Sequence, residues 1–275
     1  MIGLLRRVLL LAGVAATAGY ALLPLYYAAV SSLQPASALP DAALLPRHPD
    51  LHNYAAVLGD GLFMRSVLNS TLLACGVVSL SLLIALPAAY ALTRARFRGR
   101  RALLLALLGV SMFPPVAVLP GMFALVRDLG LYDALGALLL SDLSLTLPFT
   151  VWILASFMAD VPRELEEAAM LDGASAAQIL LRIVLPLLWP AIATTALLAF
   201  IAAWNEFMFA LTFAISPEHR TVPVAISLFS GSSPYELPWG AIMAAAVVVT
   251  LPLVAVVLLF HRRIVGGLTR GALKG

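Results

Sequence analysis

Long apolar stretches, broken by short polar ones, recur along most of the chain. A helix needs about 20 apolar residues to cross a hydrocarbon core. Six stretches meet that length: 8–33, 66–92, 102–126, 139–158, 187–213 and 241–260. They predict an all-α integral membrane protein with six transmembrane helices in a single domain over 1–275. The polar segments 34–65 and 215–240 carry Pro, Gly, Ser and Asp, the residues of loops with short helices, and are long enough to meet an outside partner. The first stretch follows Arg6 and Arg7 and contains the small residues Ala16 and Ala18, so a cleaved signal peptide is its alternative. It continues well past the usual signal core of about 7–15 residues and is read as a span.

Composition agrees with lipid as the solvent: 62% of residues are hydrophobic and 11% charged, with mean hydropathy +1.01. Soluble domains have roughly 45–50% apolar and about 25% charged residues. Net charge is only +3 and scattered, which does not point to nucleic acid. The positions of the basic residues are more informative, because Lys and Arg near span ends stay in the cytoplasm. Thirteen basic residues, among them Arg94, Arg96, Arg98, Arg100 and Arg101, lie on the side of both termini and of the segments after spans two and four. Four lie opposite: Arg47, Arg65, Arg127 and Arg220. Both termini are therefore expected in the cytoplasm of a multi-pass cell-membrane protein. Cys75 is the single cysteine, so no disulfide forms within the chain. Lys274 is the single lysine and follows no Gly-rich turn. A phosphate-binding loop is thus excluded, and any ATP that drives the protein must bind another subunit.

Prolines at 87, 114, 115, 120, 148 and 252 lie in or at the ends of spans, where neighbours or cavity water must satisfy the freed backbone groups. Met112-Phe113-Pro114-Pro115, with Pro120 and Gly121, predicts a kinked or broken third span. Between spans four and five, the segment 160–186 predicts two short helices. Asp160 can cap the first, Pro162 sits in its first turn, and Glu164, Glu166 and Glu167 lie near its positive end. Gly173 supplies a left-handed corner, and Ser175 caps the second helix.

That segment carries a resemblance. Glu167-Ala168-Ala169, three residues, Gly173, nine residues, Ile183, one residue, then Leu185-Pro186 is similar at every position to the EAA loop of ABC importer permeases, of the type I fold. Ala89-Tyr90-Ala91-Leu92 with Arg94, Phe97 and Gly99, Asn69-Ser70, Ala203-Trp204-Asn205-Glu206-Phe207 and the ending from Gly267 to Gly275 resemble the MalG-like carbohydrate branch. Phe229-Ser230-Gly231-Ser232-Ser233 and Arg262-Arg263-Ile264-Val265 look most like the trehalose importers of actinobacteria. The resemblance implies a coupling surface for an ATPase at Glu166, Glu167, Ala168, Ala169, Asp172, Gly173, Ile183, Leu185 and Pro186. It also implies a second permease subunit in a heterodimer, two cytoplasmic ATPase subunits holding ATP and Mg, and an external sugar-binding protein. No cofactor, metal or catalytic residue is expected in this chain.

Span five carries the one deep acidic residue. Glu206 lies about 9 Å from the centre of 187–213 at 1.5 Å per residue, and a carboxylate there should face a bundle interior or wet cavity. With Trp204, Asn205 and Phe209 it makes a candidate sugar pathway: Asn205 and Phe209 share a face at i, i+4, hydroxyls need hydrogen bonds, and sugar rings stack on aromatics. The alternative is that Asn205 and Glu206 bond to a neighbouring helix.

Other readings are weaker. His48-Pro49-Asp50-Leu51-His52 has metal-like spacing but no third strong ligand. Gly173-Ala174-Ser175-Ala176 lacks the second glycine of a nucleophile turn, and no histidine lies in a span to act as base. An ion-coupled carrier would rely on Glu206 and, at a span edge, Asp142. A scaffold without transport would not explain Glu206.

Overall fold

The computed structural model describes residues 2–34, 45, 49–95, 97–229 and 238–272. His48, Arg47, Arg96, the stretch 230–233 and the last three residues, which figure in the expectations above, lie outside them. The described residues form only helices and their connections: α1 (Ile2–Ser32), α2 (His52–Gly59), α3 (Gly61–Arg94), α4 (Arg100–Ser111), α5 (Pro115–Asp128), α6 (Leu135–Ala159), α7 (Arg163–Leu171), α8 (Ala176–Ile179), α9 (Leu185–Leu187), α10 (Trp189–Trp204), α11 (Met208–Phe213), α12 (Val222–Ser227) and α13 (Trp239–Ala272). Among the described residues, four helical segments are long and apolar enough to cross a membrane: Arg6–Ser32, Gly61–Arg94, Leu135–Ala159 and Trp239–Leu259. Counting each of two bent pairs as one span brings the number to six.

The third apolar stretch is broken as its prolines predict. α4 and α5 meet at 94° across Met112–Pro114. Pro114 and Pro115 offer no N–H to carry an α ladder through, and Pro114 is held extended at ψ 128° ahead of Pro115. The fifth stretch, expected as one helix over 187–213, is in pieces. Pro190 opens α10 just after an 81° bend at Leu188, and the helix stops again at Asn205–Phe207.

Two compact units divide the chain. One comprises Met1–Met64 and Ala225–Pro252. In it the end of α1 is tied to α2: Asn53 Nδ2 donates to the carbonyls of Ser32 (3.0 Å) and Gln34 (2.6 Å), and the hydroxyls of Ser32 and Tyr54 are 2.6 Å apart. Asp50 accepts the His52 N–H at 2.8 Å, which makes this part of the metal-like histidine spacing a helix-entry turn. Gly240 is packed on Asn53, so that a Cβ there would lie 2.5 Å from Nδ2. Gly240→Ala should therefore displace a buried amide from two carbonyls. We expect a cost of about 1–3 kcal/mol, seen as a lower melting temperature of the detergent-solubilised protein.

The other unit comprises Arg65–Val224 and Leu253–Gly275. Here α6 packs against α4, α5, α10 and α11. Its apolar core joins Ala85, Ala89 and Leu92 of α3 to Leu154, Ala155 and Met158 of α6, to Ile179 and Val184 of the loop that follows, and to Ile192 of α10. Just before α6, Asp133 in the α5–α6 turn adopts φ 56° and gathers donors from one segment. The Ile215 and Ser216 N–H groups reach Oδ1 at 2.9 and 3.0 Å, the Ser216 hydroxyl donates to Oδ2, and His219 Nδ1 lies 3.4 Å from Oδ1. The bonds from Ser216, then those from His219 and Ile215, hold the Asp133 carboxyl down at about 2. A depressed carboxylate stabilises the fold above its unfolded value of about 4 and loses that contribution as pH falls through about 2, so the clip stays closed across physiological pH.

Candidate functional site: the loop between α6 and α10

α6 ends at Ala159, and Asp160 closes it in right-handed helical geometry rather than capping the next helix as expected. The cap position of α7 belongs to Pro162 (φ −58°, ψ 130°), whose ring fixes the point where the new helix starts. α7 stops at Leu171 in a corner built on Gly173, at φ +83°. The Gly173 N–H donates to Met170 O at 3.0 Å and the Ala174 N–H to Ala169 O at 2.9 Å, the paired bonds of a Schellman motif. Ala169 and Ala174, on either side of the corner, both pack on the apolar core. Ser175 then caps α8 reciprocally with Gln178. Beyond α8 the turn widens to π geometry over Leu180–Val184, just ahead of Pro186, which has no N–H to close an α turn on Arg182.

The nine residues expected to form a coupling surface divide by face. Glu167, Ala168, Asp172, Gly173 and Pro186 are exposed; Ala169, Ile183 and Leu185 are half-buried against the core. Glu166 faces inward and is only 3% exposed. Arg94 Nε donates to Glu166 Oε1 at 2.7 Å, with Nη2 at 2.6 Å from the same oxygen. Tyr90 Oη donates to Oε2 at 3.1 Å. Sequence reasoning missed three exposed apolar side chains on α7: Leu165, Met170 and Leu171, the last 90% exposed. The signal for them was an apolar residue at each end of a strongly acidic short helix.

The expected pathway residues are not brought together on one face. Asn205 is exposed, and its amide donates to Ile201 O at 2.8 Å. Phe209 is fully buried and stacks on Phe213, while Trp204 is buried against Phe200. The i, i+4 argument fails because the helix ends between Asn205 and Phe209. Glu206 accounts for the break: its Oε1 accepts the Phe209 N–H at 2.8 Å and its Oε2 the Ala210 N–H at 3.0 Å, capping α11 from one residue outside it. A carboxylate that takes these N–H groups competes with the carbonyls a continuous helix would give them. A cleft of about 370 Å³ opens instead beside the α4–α5 bend, with Ser111, Thr146, Thr150 and Thr195 among apolar walls that include Phe149. Asp142, expected at a span edge, is 1% exposed in α6, and neither carboxyl oxygen has a hydrogen-bond partner among the described residues.

Residues 47–270 match the family described as "Binding-protein-dependent transport system inner membrane component". The chain belongs to this family. This inner membrane component is 42% identical, over 98% of both chains, to the "Trehalose/maltose transport system permease protein MalG" of Thermococcus litoralis. It is 38% identical, over 94% of both chains, to the "Trehalose transport system permease protein SugB" of Mycobacterium tuberculosis. Its fold matches a chain of a bacterial ABC transporter involved in import of the acidic polysaccharide alginate, with TM-score 0.79, 28% identity and 95% of each chain covered. The all-α membrane fold and the MalG-like resemblance read from the sequence are thus those of the family member.

Proposed function

We propose that this chain is one of two permease subunits of an ATP-driven importer for a di- or oligosaccharide of the trehalose or maltose type. The observation that carries the reading is the α7 corner: a Gly173-locked turn that leaves Leu165, Met170 and Leu171 exposed beside Glu167 and Asp172. An apolar patch rimmed by acids on an extramembrane helix suits a groove in a soluble partner. In this reading that partner is a pair of cytoplasmic ATPase subunits holding ATP and Mg, and closure of the pair rocks the spans between inward-facing and outward-facing states. A second permease completes the pathway, an external binding protein delivers the sugar, and this chain performs no hydrolysis itself. The thirteen-to-four bias of basic residues supports cytoplasmic termini. The break at Asn205-Glu206-Phe207 is the place in span five where polar groups reach the pathway, with Trp204 and Phe209 supporting it from within.

The test is to purify the chain from its own cells through a tag after Gly275. An ATPase subunit should come down with it in stoichiometric amount, and vesicles holding the complex should take up sugar only with internal ATP and external binding protein. A chain that purifies alone and moves solute on an ion gradient would replace this reading with an ion-coupled carrier, for which Asp142 and Glu206 are the acidic residues within the spans.

A further inference from the structure

The Arg94–Glu166 pair joins a half-buried guanidinium to a buried carboxylate on the rim of a loop whose other acids are solvated. Burying two charges costs desolvation that their attraction scarcely recovers, so such a pair adds little to stability. Its geometry, however, links two helix ends. Arg94 is the last residue of α3 and Glu166 lies in the first turn of α7, so each charge sits at the end of its helix dipole that favours it. Three further bonds surround the pair. Tyr90, one turn before Arg94 on the same face of α3, holds the second carboxylate oxygen, and Arg94 Nη2 donates to Val161 O at 3.1 Å. Arg163 of α7 returns the contact by donating to Thr93 O at 3.2 Å, a carbonyl in the last turn of α3. α3 is also held at its far end. Asn69 Nδ2 donates to the carbonyls of Glu218 (2.8 Å) and Arg220 (3.0 Å), and Ser70 Oγ accepts the Val222 N–H at 2.9 Å. Asn69 and Arg94 stand roughly 37 Å apart along one helix.

We infer that Arg94, Glu166 and Tyr90 form the joint through which displacement of α7 is passed to α3, and along α3 to the segment that follows span five. The inference rests on the proposed docking of α7 on an ATPase. Glu166 and Arg94 are then positioning residues: Glu166 does not touch the ATPase but fixes α7 to the span that α7 must move. A bonded helix is a physical carrier of such coupling where a mobile contact is not.

The experiment uses the whole importer, purified through this chain and reconstituted in vesicles. Three quantities are read for each variant: ATPase retained, ATP hydrolysed, and sugar moved per ATP. Glu166→Ala and Arg94→Ala should each retain the ATPase and continue to hydrolyse ATP, while sugar moved per ATP falls roughly ten-fold, the size of a typical coupling between two sites. The reversed pair, Arg94→Glu with Glu166→Arg, should recover part of that ratio. A merely structural role would lower the amount of complex and leave the ratio unchanged, which would overturn the inference. Should the alanine variants fail to accumulate, Tyr90→Phe and Glu166→Gln report the same ratio, and a value equal to the parent's in both would also overturn it. Loss of the ATPase from Glu166→Ala would assign Glu166 to the docking face and refute the joint. If instead Gly173→Val kept both the ATPase and full uptake, the docking reading itself would fail.

Discussion

Gly173→Val should abolish sugar uptake while leaving the chain in the membrane. The corner needs φ +83°, a region that costs a β-branched residue about 1–2 kcal/mol or more. Space is not the obstacle, since nothing lies within 4 Å of a Cβ added there. Relief of the strain must therefore come from the backbone, through loss of the Gly173–Met170 and Ala174–Ala169 bonds that define the turn. α7 would then unwind at its end, moving Met170 and Leu171 away from the position in which they are presented. The spans on either side are held by their own core, so insertion and abundance should stay near the parent's. Uptake in whole cells and an immunoblot of the membrane fraction separate the two effects. Normal uptake by this variant would remove the coupling role from the loop.

The other large effect is expected at Glu206. Its carboxylate serves the N–H groups of Phe209 and Ala210 in a layer where lipid offers no substitute donor or acceptor. Glu206→Ala leaves both groups without a partner, at about 1–3 kcal/mol each. The break in span five would then close into continuous helix or lose its order, and either outcome moves Phe209 and Phe213 out of the buried stack they share. We expect a marked fall in folded protein, read as monodispersity and melting temperature in detergent, with uptake falling at least as far. Glu206→Gln keeps one oxygen as acceptor and should lie between Ala and the parent. Full abundance and stability of the Ala variant, with uptake lost, would make Glu206 a pathway residue alone.

The loop was readable in the sequence because its signals are short-range. A glycine after a nine-residue amphipathic helix, and Ser-x-x-Gln at the next entry, each specify their geometry within a few residues. The broken third span was readable for the same reason, from adjacent prolines. The roles of Glu166 and Glu206 were not. Three acidic residues crowd the start of α7, and nothing local says that Glu166 turns inward while Glu164 and Glu167 face out. The deciding partner, Arg94, is 72 residues away and reads in the sequence as one of five arginines of a topology anchor. Apolar residues continue on both sides of Asn205-Glu206, from Leu187 to Phe213, so hydropathy predicts one helix. The interruption arises from a side chain competing with the backbone, a contest that a period count does not register. Asp160 failed as a cap because Pro162, two residues on, fixes the helix start more rigidly than a capping side chain can.

The π turn at Leu180–Val184 lies only a few residues before the 81° bend at Leu188. One residue more or fewer in such a turn advances or retards everything after it by about 100° of rotation and only about 1.5 Å of length. On a straight helix that change would alter which side faces a neighbour. Ahead of a bend it alters heading: α10 would leave the loop along a different azimuth, and its packing on α6 would be lost. The number of residues between Gly173 and Leu188 therefore acts as an angular setting for span five, and a one-residue deletion there should be far more harmful than most substitutions at the same positions.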